Sequence, residues 1–324
     1  MHILITGAAG MIGRKLTARL VADGALHGRS IDRLTLLDVG VPPRPENFAA
    51  PVEAVVADLS AAAAAIAGRP DVIFHLAAIV SGEAELDFEK GMRVNFDGSR
   101  ALLDAIRTTG GGYRPRLVFS SSVAVFGAPF PEAIPDDFAL TPLTSSGTQK
   151  AMVELMLADY SRRGFIDGVG IRLPNIVVRP GRPNKAASGF FSSIIREPLN
   201  GEEAVLPVED SVRSWNASPR AAVGFLVHAA GLERDALGPR VNLTMPGVCC
   251  TVAEQITALR RIAGDKIASR IRRETDPLVA RIVAGWPSRF DPRRALALGF
   301  EAEASFDEII RAHIEDELGG KIAT

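Results

Sequence analysis

The chain has 324 residues, 47% of them hydrophobic and 23% charged, the make-up of a globular protein long enough to bury roughly 75% of its unfolded surface without disulfides or a metal. Its formal net charge of -1 supplies no basic field for a phosphate backbone, which argues against nucleic acid as a partner. The only cysteines, Cys249 and Cys250, are adjacent, so they build no disulfide framework; no Cys/His set has metal-ligand spacing, and a reducing, cytosolic setting fits. No apolar run reaches the length of a membrane span, and the opening MHILITG is expected to be a strand and not a signal peptide.

The first half alternates two kinds of segment. Short apolar runs at residues 2–6, 34–38, 52–57, 72–76, 117–120 and 168–173 predict strands buried on both faces, because none alternates with polar residues. Helix-like stretches lie between them at 13–22, 96–107 and 149–163, and the alanine run at 61–65 predicts a short surface helix. Strand, helix, strand in this order implies an α/β fold with a parallel sheet and right-handed crossovers.

The glycines come next. TGAAGMIGRK sets Gly7, Gly10 and Gly13 between the first strand and the first helix. Gly7 permits a sharp turn, Gly10 a close approach to a pyrophosphate and Gly13 tight packing of the helix; the phosphates then sit at the helix N-terminus, near Met11 and Ile12. A P-loop is excluded, because no GKS or GKT follows. Asp38 ends the second strand 25 residues after Gly13. A carboxylate there accepts the ribose hydroxyls and repels a 2′-phosphate, which predicts NAD over NADP. Asp58 ends the third strand, where it either accepts from an adenine amino group or caps the next helix.

With these residues in hand, the chain resembles an extended short-chain dehydrogenase/reductase of the NAD-dependent epimerase/dehydratase type. The resemblance rests on TGAAGMIG, Asp58–Leu59, HLAA at 75–78, VNFDG at 94–98, FSSSVAVFG at 119–127, Lys150 and RLPNIVVRPG at 172–181, in family order across roughly the first 180 residues; SVRSWNASP at 211–219 adds a weaker match. It implies a Rossmann-type doubly wound parallel sheet over residues 1–173, with later strands returning to it, and a smaller C-terminal substrate-binding lobe over 174–324. It also implies that Leu59, Ala77, Ala78 and Asn95 support the cofactor. Ser122 donates a hydrogen bond to the substrate oxygen, and Lys150 binds the nicotinamide-ribose hydroxyls. Within the family, VVRPGRPNKAASGFFSSIIREPLNGEEA resembles members that oxidise the C2 hydroxyl of a four-carbon sugar acid with NAD. A nucleotide-sugar epimerase or dehydratase and a non-catalytic NAD(H) sensor are the alternatives.

One position departs from the family. A tyrosine stands four residues before the lysine, takes the substrate's hydroxyl proton, and has its pKa lowered by that lysine. Here the position is Ser146, and neither Tyr113 nor Tyr160 replaces it. An aliphatic hydroxyl does not ionise near neutrality and is too short to reach as far as a phenol. Three explanations follow: a deliberately inactivated form, a natural binder that has lost its chemistry, or a water relaying the proton through Lys150. The first is favoured, because every other catalytic position is filled.

The second half is less regular. A sugar acid needs a cation for its carboxylate, and the candidates are Arg179, Lys185 and Arg213, with Arg213 ranked first through the resemblance. Ser81, Asn175 and Asn184 are further polar candidates, whereas Trp215 and Trp286 are expected to pack. Residues 190–196 are expected to form a helix over the site, and residues 251–318 to be mostly helical. Met152, Leu155, Met156 and Leu157 exceed what one buried helix face needs. The resemblance implies a homodimer formed by this helix and the one at 96–107.

Overall fold

The computed structural model describes residues 1–181 and 188–323. Seven segments form one sheet, all of its pairs parallel: β1 His2–Thr6, β2 Arg33–Asp38, β3 Val52–Val56, β4 Val72–His75, β5 Arg116–Ser122, β6 Asp167–Leu173 and β7 Asn242–Thr244. Their spatial order is β7-β6-β5-β4-β1-β2-β3. The six strands expected from apolar runs are all present, within a few residues of their expected ends. Ile3, Leu4, Ile5, Ile73 and Phe74 are fully buried because helices cover both faces. The chain reverses its direction of winding between β1 and β4. In an open parallel sheet such a switch leaves a crevice beyond the carboxyl ends of the strands, where ligands bind.

Three helices shape that crevice. α1 (Met11–Asp23) starts at Gly10 and stops at Gly24, whose left-handed backbone (φ 62°) returns its N–H to Leu20. α2 (Gly98–Thr109) follows a π-helical segment, Met92–Asp97. α3 (Ser145–Arg162) begins four residues earlier than its apolar pattern suggests, since Thr144 accepts from the Gly147 N–H and caps it.

The rest of the chain builds a second layer of core. A small sheet pairs Asn175–Ile176 and Val248–Thr251 with the central strand Arg213–Ala217. Helices α4 (Gly189–Leu199), α6 (Val252–Ala263) and α8 (Phe306–Leu318) enclose Ile194, Ile195, Leu259, Ile309 and Ile310. α5 (Pro219–Gly231) instead returns to the first core, where Phe225 and Leu226 pack with Leu16 and Leu20. α7 (Pro277–Ala284) precedes the loop at Gly285–Pro287. The region 251–318 is mostly helical as expected, with two short strands the pattern does not reveal: Ile271–Arg273, paired to Ala204–Leu206, and Phe290–Asp291, paired to Ile134–Pro135. Among the described residues no helix is long and apolar enough to cross a membrane.

Candidate active site

The glycine turn is built as the sequence requires. Gly7 has φ 75°, and a Cβ on it would lie 2.6 Å from the Ala77 nitrogen at the end of the neighbouring strand. A Cβ on Gly13 would lie 2.2 Å from the Gly7 carbonyl and 2.7 Å from the Ala8 Cα, so the close packing it permits is against the turn itself. Gly10 donates to the Gly7 carbonyl at 3.2 Å. The first turn of α1 holds no acidic residue, so nothing in it offsets the positive end of the helix. Asp38 receives the Ala9 N–H at 2.9 Å and the Gly40 N–H at 3.0 Å, which ties the end of β2 to the turn. These features fit the pyrophosphate and ribose of a dinucleotide.

A buried chain of hydrogen bonds sets the adjoining strand end. Ser99 Oγ donates to the Asn95 carbonyl at 2.6 Å, so His75 Nε2–H donates to Ser99 Oγ and Thr6 Oγ1 donates to His75 Nδ1, each at 2.8 Å. Burial first, and then the charge of Lys150, push the His75 pKa down to about 3, so the ring is neutral. Asn95 accepts the Ile79 N–H at 2.8 Å and donates to Gln149 at 2.8 Å, linking the loop after β4 to the helix that carries Lys150.

The centre of the site lies between β5 and α3. Ser122 accepts from the Ala124 N–H at 3.1 Å, which leaves its own proton available. Lys150 Nζ donates to the Ser120 carbonyl at 2.7 Å and lies 4.6 Å from the Phe119 ring centre. Burial lowers its pKa to about 8, against the opposing pull of Glu154. Ser146 is 9% exposed and stands one helical turn before Lys150. A Cβ on the next residue, Gly147, would meet the Ala124 carbonyl at 2.2 Å, so glycine lets the helix approach the Ser122 segment. Behind them Glu154, fully buried, accepts from Ser121 Oγ at 2.5 Å and from Arg172 Nη2 at 2.8 Å. The helix and two strand ends are thereby fixed together.

One cavity of about 580 Å³ joins these parts. Of the expected residues, Gly7, Gly10, Met11, Ile12 and Gly13 form one end of its wall. Ser81, Ser122, Ser146 and Lys150 form its middle, and Asn175, Arg179 and Arg213 its far end. Asp38, Asp58, Leu59, Ala77, Ala78 and Asn95 lie outside this wall. The side chain of Leu59 is buried against the position where Gly98 lacks a Cβ. Lys185 and Asn184 lie outside the described residues. Both tryptophans border the cavity; Trp215 also packs on Phe290 and donates to the Met245 carbonyl at 3.1 Å.

Sequence reasoning missed Thr144, Ser188, Ser192, Arg196 and Ser214, which also line the cavity. Arg196 had a signal, a single cation next to Ile195 in an apolar helix; the hydroxyls had none. Among the described residues, the wall carries Lys150, Arg179, Arg196 and Arg213 but no carboxylate, although the whole chain has a net charge of -1.

Residues 3–226 match the model of the NAD dependent epimerase/dehydratase family. The chain is 50% identical to D-erythronate dehydrogenase of Cupriavidus necator over 98% of both chains. It is 42% identical to D-erythronate dehydrogenase of Haemophilus influenzae, over 98% of this chain and all of that one. A crystal structure from Agrobacterium tumefaciens, of a protein called a nucleoside-diphosphate-sugar epimerase, superposes with a TM-score of 0.98 at 61% identity, covering 100% of this chain and 96% of that one. The glycine turn, the Lys150 helix and these matches agree: the chain belongs to the NAD-dependent epimerase/dehydratase family and is an NAD-dependent enzyme of the extended short-chain dehydrogenase type.

Proposed function

We propose that the protein oxidises the C2 hydroxyl of a small, D-erythronate-like sugar acid to the 2-keto acid, with turnover impaired at Ser146. The observation that carries this reading is the cavity wall, which holds cations and no described carboxylate and so suits a small organic anion. Two relatives at 50% and 42% identity over nearly their whole length, both D-erythronate dehydrogenases, support that class of anion.

NAD, when bound, supplies the hydride acceptor. Gly7, Gly10 and the start of α1 hold its pyrophosphate, and Asp38 its adenosine ribose. Asp58, Leu59, Ala77, Ala78 and Asn95, outside the cavity wall, would support it indirectly. Ser122 directs its free proton at the substrate's C2 oxygen. Lys150, fixed by the Ser120 carbonyl, orients the nicotinamide-ribose hydroxyls. Oxidation at C2 would also need a group to take the hydroxyl proton, and Ser146 is no base for it. The site therefore binds both partners and turns them over slowly. Ser81, Asn175, Lys185 and the arginines serve the remaining substrate groups.

The test is NADH formation at 340 nm, for this protein and for Ser146→Tyr, against a panel of four-carbon sugar acids that includes D-erythronate. A dehydrogenase gains turnover with the tyrosine; a sensor does not. The Agrobacterium structure's description favours a second reading, a nucleotide-sugar epimerase, since the same cations suit a diphosphate. UDP-sugars in parallel reactions decide between the two. Leu155 is 67% exposed on α3 while Leu157 is fully buried, which supports pairing of two copies through α3 and α2. Only monomer in sedimentation at micromolar protein would remove that pairing.

A further inference from the structure

We infer that Arg179 grips the carboxylate of the substrate, so that this end of the cavity selects short acids over neutral compounds of the same skeleton. The inference rests on the sugar-acid reading above and narrows it to one side chain.

Three arginines line the cavity, and they differ in what neutralises them. Arg196 bonds Glu197 at 2.6 Å, and Arg213, half exposed, faces Glu254 at 3.9 Å. Among the described residues, no carboxylate lies within ion-pair distance of Arg179. Its described partners are all neutral: Nε donates to the Ile176 carbonyl at 3.0 Å, and Nη2 to Asn175 Oδ1 at 3.3 Å and Ser188 Oγ at 3.0 Å. Its backbone is held too. The N–H donates to Ser192 Oγ at 3.0 Å, and the carbonyl accepts from Arg196 at 2.6 Å.

Burial, and then the neighbouring charge of Arg196, push the Arg179 pKa down; the surroundings disfavour a charge that an arginine keeps at any ordinary pH. A cation withdrawn from water with only neutral partners is costly, and an incoming anion removes that cost. With Nε and Nη2 already donating, the carboxylate meets the two N–H groups of Nη1, for which no described residue serves as acceptor, in a charge-assisted bond. Arg213 lacks this need, being hydrated and already facing an acid.

The experiment is calorimetric titration of D-erythronate into the NADH-saturated protein, which cannot oxidise the ligand. The protein is compared with Arg179→Met, Arg179→Lys and Arg213→Met, and erythritol serves as the neutral four-carbon control. Arg179→Met is expected to weaken D-erythronate binding by roughly 10- to 100-fold, the range for a lost charge-assisted hydrogen bond. Lysine should restore only part of it. Arg213→Met should cost several-fold less than Arg179→Met, since Arg213 is half exposed and already faces Glu254, and erythritol binding should not respond to position 179.

A large loss in Arg213→Met with a small one in Arg179→Met would overturn the assignment. If Arg179→Met no longer binds NADH, Arg179→Lys decides: unchanged D-erythronate affinity sinks the proposal, and a loss of about tenfold with normal NADH affinity supports it. If the unmodified protein binds NADH but not D-erythronate, the sugar-acid reading fails. Glycolate, D-glycerate and lactate then test the carboxylate role separately, and it too is overturned unless one of them binds in a manner dependent on Arg179.

Discussion

On the proposed reading, the two ends of the cavity recognise charge by opposite means. At the cofactor end the work falls to backbone: three glycines, a helix start with no acidic side chain in its first turn, and Asp38 holding the Ala9 and Gly40 N–H groups. At the substrate end it falls to long side chains, Arg179, Arg196 and Arg213, drawn from three separate segments after the sixth strand. A backbone cradle is encoded locally, and at Gly7 and Gly13 it tolerates no added Cβ. A side-chain cluster depends on which acids lie nearby, and that depends on the fold. Between the two ends stands α3, and on the proposed reading Ser146 leaves the middle without a base.

The largest effect should come from that middle. Positioned acid/base catalysis is worth about 10²- to 10⁴-fold in rate. Ser146→Tyr should raise kcat for D-erythronate oxidation by that factor and leave NADH affinity within a few-fold. Rates that stay at background with both partners bound would mean that the two ends serve binding alone.

The joint between the ends gives the next effect. Glu154 is fully buried and ties Arg172 and Ser121 to α3. Glu154→Gln removes one charge of a buried pair, at a cost of about 3–5 kcal/mol. For a chain of this size the melting temperature should fall by roughly 10 °C. A fall below about 2 °C would show that Asp136, 3.7 Å from Arg172, already suffices.

The same contrast explains what could be foreseen. Gly7, Gly10 and Gly13 announce themselves because a turn between strand and helix constrains them through neighbours in sequence. Ser146 and Lys150 are one helical turn apart, so their pairing needs no tertiary knowledge. The strand at Asn242–Thr244 is only three residues long and pairs on one side, too little for a pattern to mark. The inferred ranking of Arg179 above Arg213, against the order the sequence suggested, rests on something else. It turns on Glu254, 41 residues beyond Arg213, coming to 3.9 Å, while no described acid approaches Arg179. The neutrality of His75 comes from burial beside Lys150, a property of the assembled core that no local pattern carries.

A smaller effect sharpens the cofactor end. If the Asp38 carboxylate sets the preference for NAD, NADPH should bind at least about tenfold more weakly than NADH. Asp38→Asn should narrow that gap from both sides, because it removes the negative charge and weakens the bonds to Ala9 and Gly40. Fluorescence titration with both cofactors measures it. Equal affinities in the unmodified protein would sink the assignment.

The smallest effect is a pH dependence, and its sign is fixed by Lys150. Its folded-state pKa is lowered to about 8 by burial, against about 10.4 in an unfolded chain. At pH 7 the folded protein keeps the charge; by pH 9 most of it is gone. If that charge holds the ribose hydroxyls, NADH affinity should weaken by up to about tenfold between pH 7 and 9. Lys150→Met should bind weakly and show no such slope. Unfolding would not explain the loss. Between pH 8 and 10.4 the unfolded chain carries a proton the folded protein has released, so this residue's own contribution to stability rises with pH. Affinity and that contribution therefore move in opposite directions. An affinity that stays flat to pH 9.5 would place the lysine's charge outside cofactor binding and leave the glycine turn to hold NAD by backbone alone.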